Sequence, residues 1–134
     1  MVQKNSSIII NSKVDALIGL NEMQINDTAM TLINNSSMVF ENTIQKSHKD
    51  GIVCICNSSV SSHTCKPLIQ KNYIEASTHN GIVCEGEGCK PNILANIIET
   101  NRKAGIKLMD NACAHIGGHN LDDLDVGRSR LDFK

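Results

Sequence analysis

An imperfect internal repeat constrains this chain more than any other feature. His48-Lys49-Asp50-Gly51-Ile52-Val53-Cys54 is echoed by His79-Asn80-Gly81-Ile82-Val83-Cys84. Each copy then runs on to Cys-Lys-Pro, at Cys65-Lys66-Pro67 and at Cys89-Lys90-Pro91. The Gly-Ile-Val-Cys cores recur 30 residues on and the Cys-Lys-Pro ends 24 residues on, so the second copy is shorter inside. Repeats of this length imply two related structural units set side by side.

The 134 residues fit one domain and can bury a sizeable core. That core has to be aliphatic, because the chain has no Trp, one Tyr (Tyr73) and two Phe (Phe40 and Phe133). The same scarcity argues against aromatic platforms for stacking bases or sugars. Abundant Ile, Asn and Ser suit narrow, repetitive β structure. With 13 basic and 14 acidic residues the net charge is −1. The nearest approaches to a basic cluster, Arg102-Lys103 and Arg128/Arg130, are too short to track phosphates, so no nucleic-acid partner is expected. At the N-terminus only Ile8-Ile9-Ile10 are consecutively apolar, which provides neither a signal peptide nor a membrane anchor. The expected location is cytoplasmic, or outside the cell after export by a dedicated machine that needs no signal peptide.

From Ser6 to about Thr43 there is no Cys, His or Pro. Apolar residues alternate at Ala16, Ile18 and Leu20, at Met23 and Ile25, at Met30 and Leu32, and at Met38 and Phe40. Asn-rich breaks separate the later groups, a pattern that predicts short successive strands. A helix over residues 14–25 competes, because Val14, Leu17 and Ile18 also satisfy helical spacing. A second helix is predicted over residues 92–104. There Ile93, Leu94, Ile97, Ile98 and Ala104 form an apolar stripe, Pro91 suits a first turn and Gly105 suits a C-terminal cap. A strand over residues 106–109 follows, and the tail from Leu121 lies on the surface or docks against a partner. The predicted class is mainly β (α+β). Residues 1–134 form one domain, with a β-rich stem-like segment at 1–47 and a Cys/His-rich, metal-stabilised cap at 48–134.

All six Cys and five His fall between His48 and His119. Thiolates and imidazoles are the usual ligands of structural Zn²⁺. One candidate group is Cys54, Cys56 and Cys65, completed by His63 or His48. The other is Cys84, Cys89, Cys113 and His115, with His119 in reserve. Between Cys84 and Cys89 the loop Glu85-Gly86-Glu87-Gly88 allows a turn tight enough to bring both sulfurs to one ion. Two other outcomes stay open: buried thiols that only pack, and three disulfides in any of fifteen connectivities. Cys113 and His115 could also be drawn as a nucleophile and base, but no third orienting group is identifiable.

Three stretches resemble known families. Cys54-x-Cys56-x₂-Ser59-x₅-Cys65 is similar to the first three ligands of CDGSH-type [2Fe–2S] domains. Lys66-Pro67-Leu68-Ile69 stands where that family needs its fourth ligand. Gly117-Gly118-His119-Asn120-Leu121-Asp122-Asp123 resembles a stretch of tRNA-thiolating ATP pyrophosphatases, but no phosphate-cradling loop accompanies it. Asn5-Ser6-Ser7-Ile8-Ile9-Ile10 and the alternation after it resemble the stems of valine-glycine-repeat spikes of contractile injection (type VI secretion-like) systems. Leu108-Met109-Asp110-Asn111-Ala112-Cys113-Ala114-His115-Ile116-Gly117-Gly118 is similar to the metal-and-glycine segments of the PAAR-like tips that cap those spikes. The Pro-Ala-Ala-Arg motif is missing. This last resemblance implies a non-enzymatic, zinc-bearing tip protein whose partner is a trimeric spike. The alternatives are an iron–sulfur or thiol redox protein and a zinc-stabilised interaction domain.

Overall fold

A computed structural model describes residues 2–4, 7–11, 15–24, 26–57, 64–117 and 130–132. Its strands come in threes. The first coil comprises β1 (Val2–Lys4), β2 (Ile8–Asn11) and β3 (Leu17–Gly19). The second comprises β4 (Glu22–Gln24), β5 (Met30–Ile33) and β6 (Met38–Phe40). The third comprises β7 (Thr43–Gln45), β8 (Ile52–Ile55) and β9 (Leu68–Gln70). The fourth comprises β10 (Tyr73–Glu75), β11 (Ile82–Glu85) and β12 (Asn92–Leu94). The fifth comprises β13 (Ile97–Glu99), β14 (Ala104–Met109) and β15 (His115–Gly117), and β16 (Arg130–Asp132) joins β14. The strands lie in three parallel sheets, ordered β1-β4-β7-β10-β13, β2-β5-β8-β11-β14-β16 and β3-β6-β9-β12-β15. A chain that returns to the same three sheets once per coil is a β-solenoid, in which each coil contacts only its neighbours.

Strand pairing turns the sequence repeat into columns. Ile52 is opposite Ile82, which is opposite Ile106; Cys54 is opposite Cys84, which is opposite Leu108. In the three-residue strands β3, β4, β6, β7, β9, β10, β12 and β13 the central residue points inward. The first sheet stacks Met23, Ile44, Ile74 and Ile98; the third stacks Ile18, Val39, Ile69 and Ile93, all buried. The middle sheet has longer strands and supplies two inward columns: Met30, Ile52, Ile82, Ile106, and Leu32, Cys54, Cys84, Leu108. Neighbouring coils rise by about 4.8 Å. Branched aliphatic side chains stack on themselves at that spacing, which is how this chain fills an interior without aromatic rings.

Corners are held by polar stacking. Where the third sheet hands over to the first, Leu20, Glu41, Lys71 and Ala95 all have positive φ, between 54° and 58° for three of them and 51° for Glu41. Such backbone costs a non-glycine residue about 1 kcal/mol or more. The residue after each is Asn. Asn21 donates through Nδ2 to Oδ1 of Asn42 at 3.0 Å, Asn42 to Asn72 at 2.9 Å, and Asn72 to Asn96 at 3.0 Å. The same Oδ1 atoms accept backbone N–H groups from the coil before. This ladder satisfies the corner backbone and so offsets the left-handed residues.

The expected class is corrected here. The predicted class was α+β with a helix at 92–104, but the described residues contain strands and no helix. The apolar stripe belongs to β12 and β13. Ile93 and Ile98 face inward, Leu94 and Ile97 do not, and Ala95-Asn96 makes the corner between them. A two-residue corner between two short strands reproduces the i, i+4 spacing of a helix, which is why the pattern misled. No helix over residues 14–25 forms among the described residues either; β3 and β4 lie there. The three sheets also run without a break from residues 1–47 into 48–134, through β4–β7, β5–β8 and β6–β9.

Candidate functional site

The third and fourth coils are the wide ones, and they carry the cysteines. The longer excursions from β8 to β9 and from β11 to β12 bring Cys65 and Cys89 together as bridge partners, beyond the ends of the in-register pair Cys54 and Cys84. Cys54, Cys56, Cys65, Cys84 and Cys89 are all buried in one continuous core. Sγ of Cys65 lies 2.8 Å from Sγ of Cys56. The Cys89 thiol points at the carbonyl oxygen of Cys54, 3.6 Å away. Backbone contacts hold this corner: Cys56 N–H donates to Glu85 O, Cys65 N–H to Gly88 O and Cys89 N–H to Gly86 O. Gly86 has φ +108°, and a Cβ there would collide with the Cys56 carbonyl oxygen. The Gly-rich loop thus turns tightly, as the sequence suggests, and its turn seats it under Cys56.

Cys65, Cys84 and Cys89 hold their protons. Burial, followed by the hydrogen bond with Cys56, pushes Cys65 up to about 12. Cys84 is pushed up by its hydrogen bond with Cys54 and by burial, and Cys89 by its hydrogen bond with Cys84 and by burial. Protonated thiols among Leu32, Leu108 and Ile106 act as small apolar side chains.

The structure places the members of the second ligand group on opposite sides of the wall. Counting back from Asn92 opposite His115 places Ala112, not Cys113, opposite Cys89. Ala112 is buried, whereas Cys113 and His115 are exposed on the outer surface. Cys84 and Cys89 therefore face the interior while Cys113 and His115 face away from it. His48 is also exposed. His63, Ser59, His119 and the stretch from Gly118 to Asp123 lie outside the described residues. Among the described residues, no three of His, Cys, Asp and Glu are placed to hold a metal ion.

A polar network on the outer face of the first sheet went unnoticed in the sequence. Gln24 donates to Gln45 at 3.2 Å and Gln45 to Glu75 at 2.7 Å. Tyr73 Oη lies 2.6 Å from Glu99 Oε1 and 2.9 Å from Glu75 Oε2. The two acceptors, Glu99 first, hold the phenol proton and push Tyr73 well above its ordinary range. The signal was the match of Tyr73-Ile74-Glu75 to Ile97-Ile98-Glu99, again 24 residues apart.

Comparison with protein-family models, with curated proteins and with solved structures finds no match to this chain. Among the described residues, no helix is long and apolar enough to cross a membrane.

Proposed function

We propose that this chain is a non-enzymatic structural protein, a β-solenoid that docks a protein partner at the N-terminal end of its stack. One observation carries the reading. Of the four exposed large apolar residues among the described ones, three (Ile9, Leu17 and Leu20) belong to the first coil or its corner. Ile9 is 65% exposed, Leu17 76% and Leu20 73%. In the same coil, β1, β2 and β3 are each the terminal strand of a sheet, and each offers an open backbone edge. Unpaired edge groups beside apolar side chains are what strand addition by another protein uses. The partner therefore presents a β edge and apolar side chains of its own; a trimeric spike is one such partner. Five of the six cysteines, by contrast, are turned inward, where they pack the widest coils.

A second copy of the chain is the partner that tests this most directly. Sedimentation over a concentration series should show association of the wild-type protein. Ile9→Ser/Leu17→Ser/Leu20→Ser should stay monomeric with a melting midpoint close to that of the wild type. A wild-type protein that is monomeric throughout overturns self-docking, and a triple variant that associates as before overturns docking through this end.

A further inference from the structure

We propose that Cys56 and Cys65 are a redox pair that closes into an intrachain disulfide in the presence of a small-molecule disulfide oxidant. This is independent of the docking reading. The two sulfurs are 2.8 Å apart. Unbonded carbon atoms rest about 3.5–4.0 Å apart, and sulfur is larger than carbon, so this pair is already inside ordinary contact. A sulfur–sulfur bond is about 2.05 Å long, so closure moves the sulfurs by less than roughly 1 Å.

The remaining thiols are engaged or turned elsewhere. Cys89 points at the Cys54 carbonyl and hydrogen-bonds with Cys84, Cys84 also hydrogen-bonds with Cys54, and Cys113 sits on the outer surface. The anchors of the pair are fixed as well. Cys56 N–H donates to Glu85 O at 2.9 Å and Cys65 N–H to Gly88 O at 2.9 Å, so both ends of the closed ring are already tied to the next coil.

The chemistry balances with oxidised glutathione as the electron acceptor. Cys56, the more exposed of the two at 5% against 2%, attacks as thiolate and breaks the glutathione disulfide. One glutathione leaves and takes up a proton. Cys65 then attacks the mixed disulfide, its proton passing to the second departing glutathione. Two protein thiols are oxidised and one external disulfide is reduced to two thiols. Burial, with Cys56 beside it, pushes Cys65 up to about 12, so the second step is slow until the corner opens.

The test is a disulfide map of the full chain. Reduced protein is incubated with excess oxidised glutathione, unfolded in acid, alkylated and digested. The expected product is a single linked peptide pair joining Cys56 to Cys65, with Cys54, Cys84 and Cys89 alkylated and the exposed Cys113 alkylated or carrying glutathione. The melting midpoint should rise by something on the order of 10 °C and fall back with reductant, because the bond closes a short loop of the unfolded chain. Cys65→Ala should show neither the linkage nor the shift. Should that variant fold poorly, the wild-type map decides alone. A Cys54–Cys84 or Cys84–Cys89 linkage, glutathione on Cys113 only, or six alkylatable thiols would overturn the proposal. So would a chelator-removable metal ion that blocks oxidation of the pair.

Discussion

Oδ1 of Asn72 accepts two hydrogen bonds from Asn42, one from the backbone N–H and one from Nδ2, both at 2.9 Å. Asn72 in turn donates to Val39 O at 3.0 Å, Gln70 O at 3.1 Å and Asn96 Oδ1 at 3.0 Å. Replacing it by Ala or Leu leaves a backbone N–H, two carbonyls and a neighbouring amide short of partners inside the stack. Asn72→Ala should lower the unfolding free energy by about 3 kcal/mol. Urea denaturation measures it, and a loss under about 1 kcal/mol would show that the ladder does not hold the corner.

The next corner behaves differently. Ser47 and Ser77 are buried there, and the hydroxyl of each lacks a hydrogen-bond partner among the described residues. Such a group costs desolvation without return. Ser77→Ala should therefore be neutral or stabilising by up to about 1 kcal/mol, in contrast to Asn72→Ala. A clear destabilisation in the same denaturation series would mean that the hydroxyl has a role the geometry does not reveal.

Close backbone approach distinguishes two kinds of glycine. A Cβ on Gly81 would lie 2.6 Å from Gly105 O and 2.6 Å from Ile98 Cγ2, whereas on Gly117 the nearest atom is His115 Nε2 at 3.6 Å. Gly81→Ala should cost about 2–3 kcal/mol by forcing adjacent coils apart. Gly117→Ala should cost little. Melting curves of the two variants make the comparison, and equal midpoints would contradict the coil contact.

Native thiol reactivity should be split one to five. Cys113 is exposed and the other five cysteines are buried. A chromogenic disulfide reagent should titrate one thiol quickly and the rest slowly or on unfolding, with Cys113→Ser abolishing the fast phase. Several fast thiols in the folded protein would show that the interior is open to solvent.

Alkali should destabilise the fold through the same interior. Cys65, Cys84 and Cys89 have folded pKa values raised above the ordinary 9.0. A raised pKa favours the folded state below the unfolded value, and that contribution is lost as the pH climbs towards the folded value. The melting midpoint should thus hold up to about pH 9 and fall beyond it, with a shallower fall in Cys65→Ala. A midpoint unchanged to about pH 11 would contradict buried, protonated thiols.

Local pattern determined a good deal. The repeats at Gly51-Ile52-Val53-Cys54 and Gly81-Ile82-Val83-Cys84 mark two in-register strands, β8 and β11, and the alternation at Met30 and Leu32 marks β5. The aliphatic core and the tight turn at Gly86 were also legible, because side-chain size and backbone freedom act over a few residues. What only the tertiary structure decided was which residues meet. Met30-Thr31-Leu32-Ile33 and Ile106-Lys107-Leu108-Met109 are further copies of the same coil position, but share too few letters with the cysteine-bearing copies to be recognised. Coils of 21, 30 and 24 residues, measured from Glu22 to Thr43, Tyr73 and Ile97, blur any fixed period. The direction of each sulfur was hidden for the same reason. Cys89 faces inward and Cys113 outward because pairing between coils sets their register, and pairing is a property of the stack rather than of either segment.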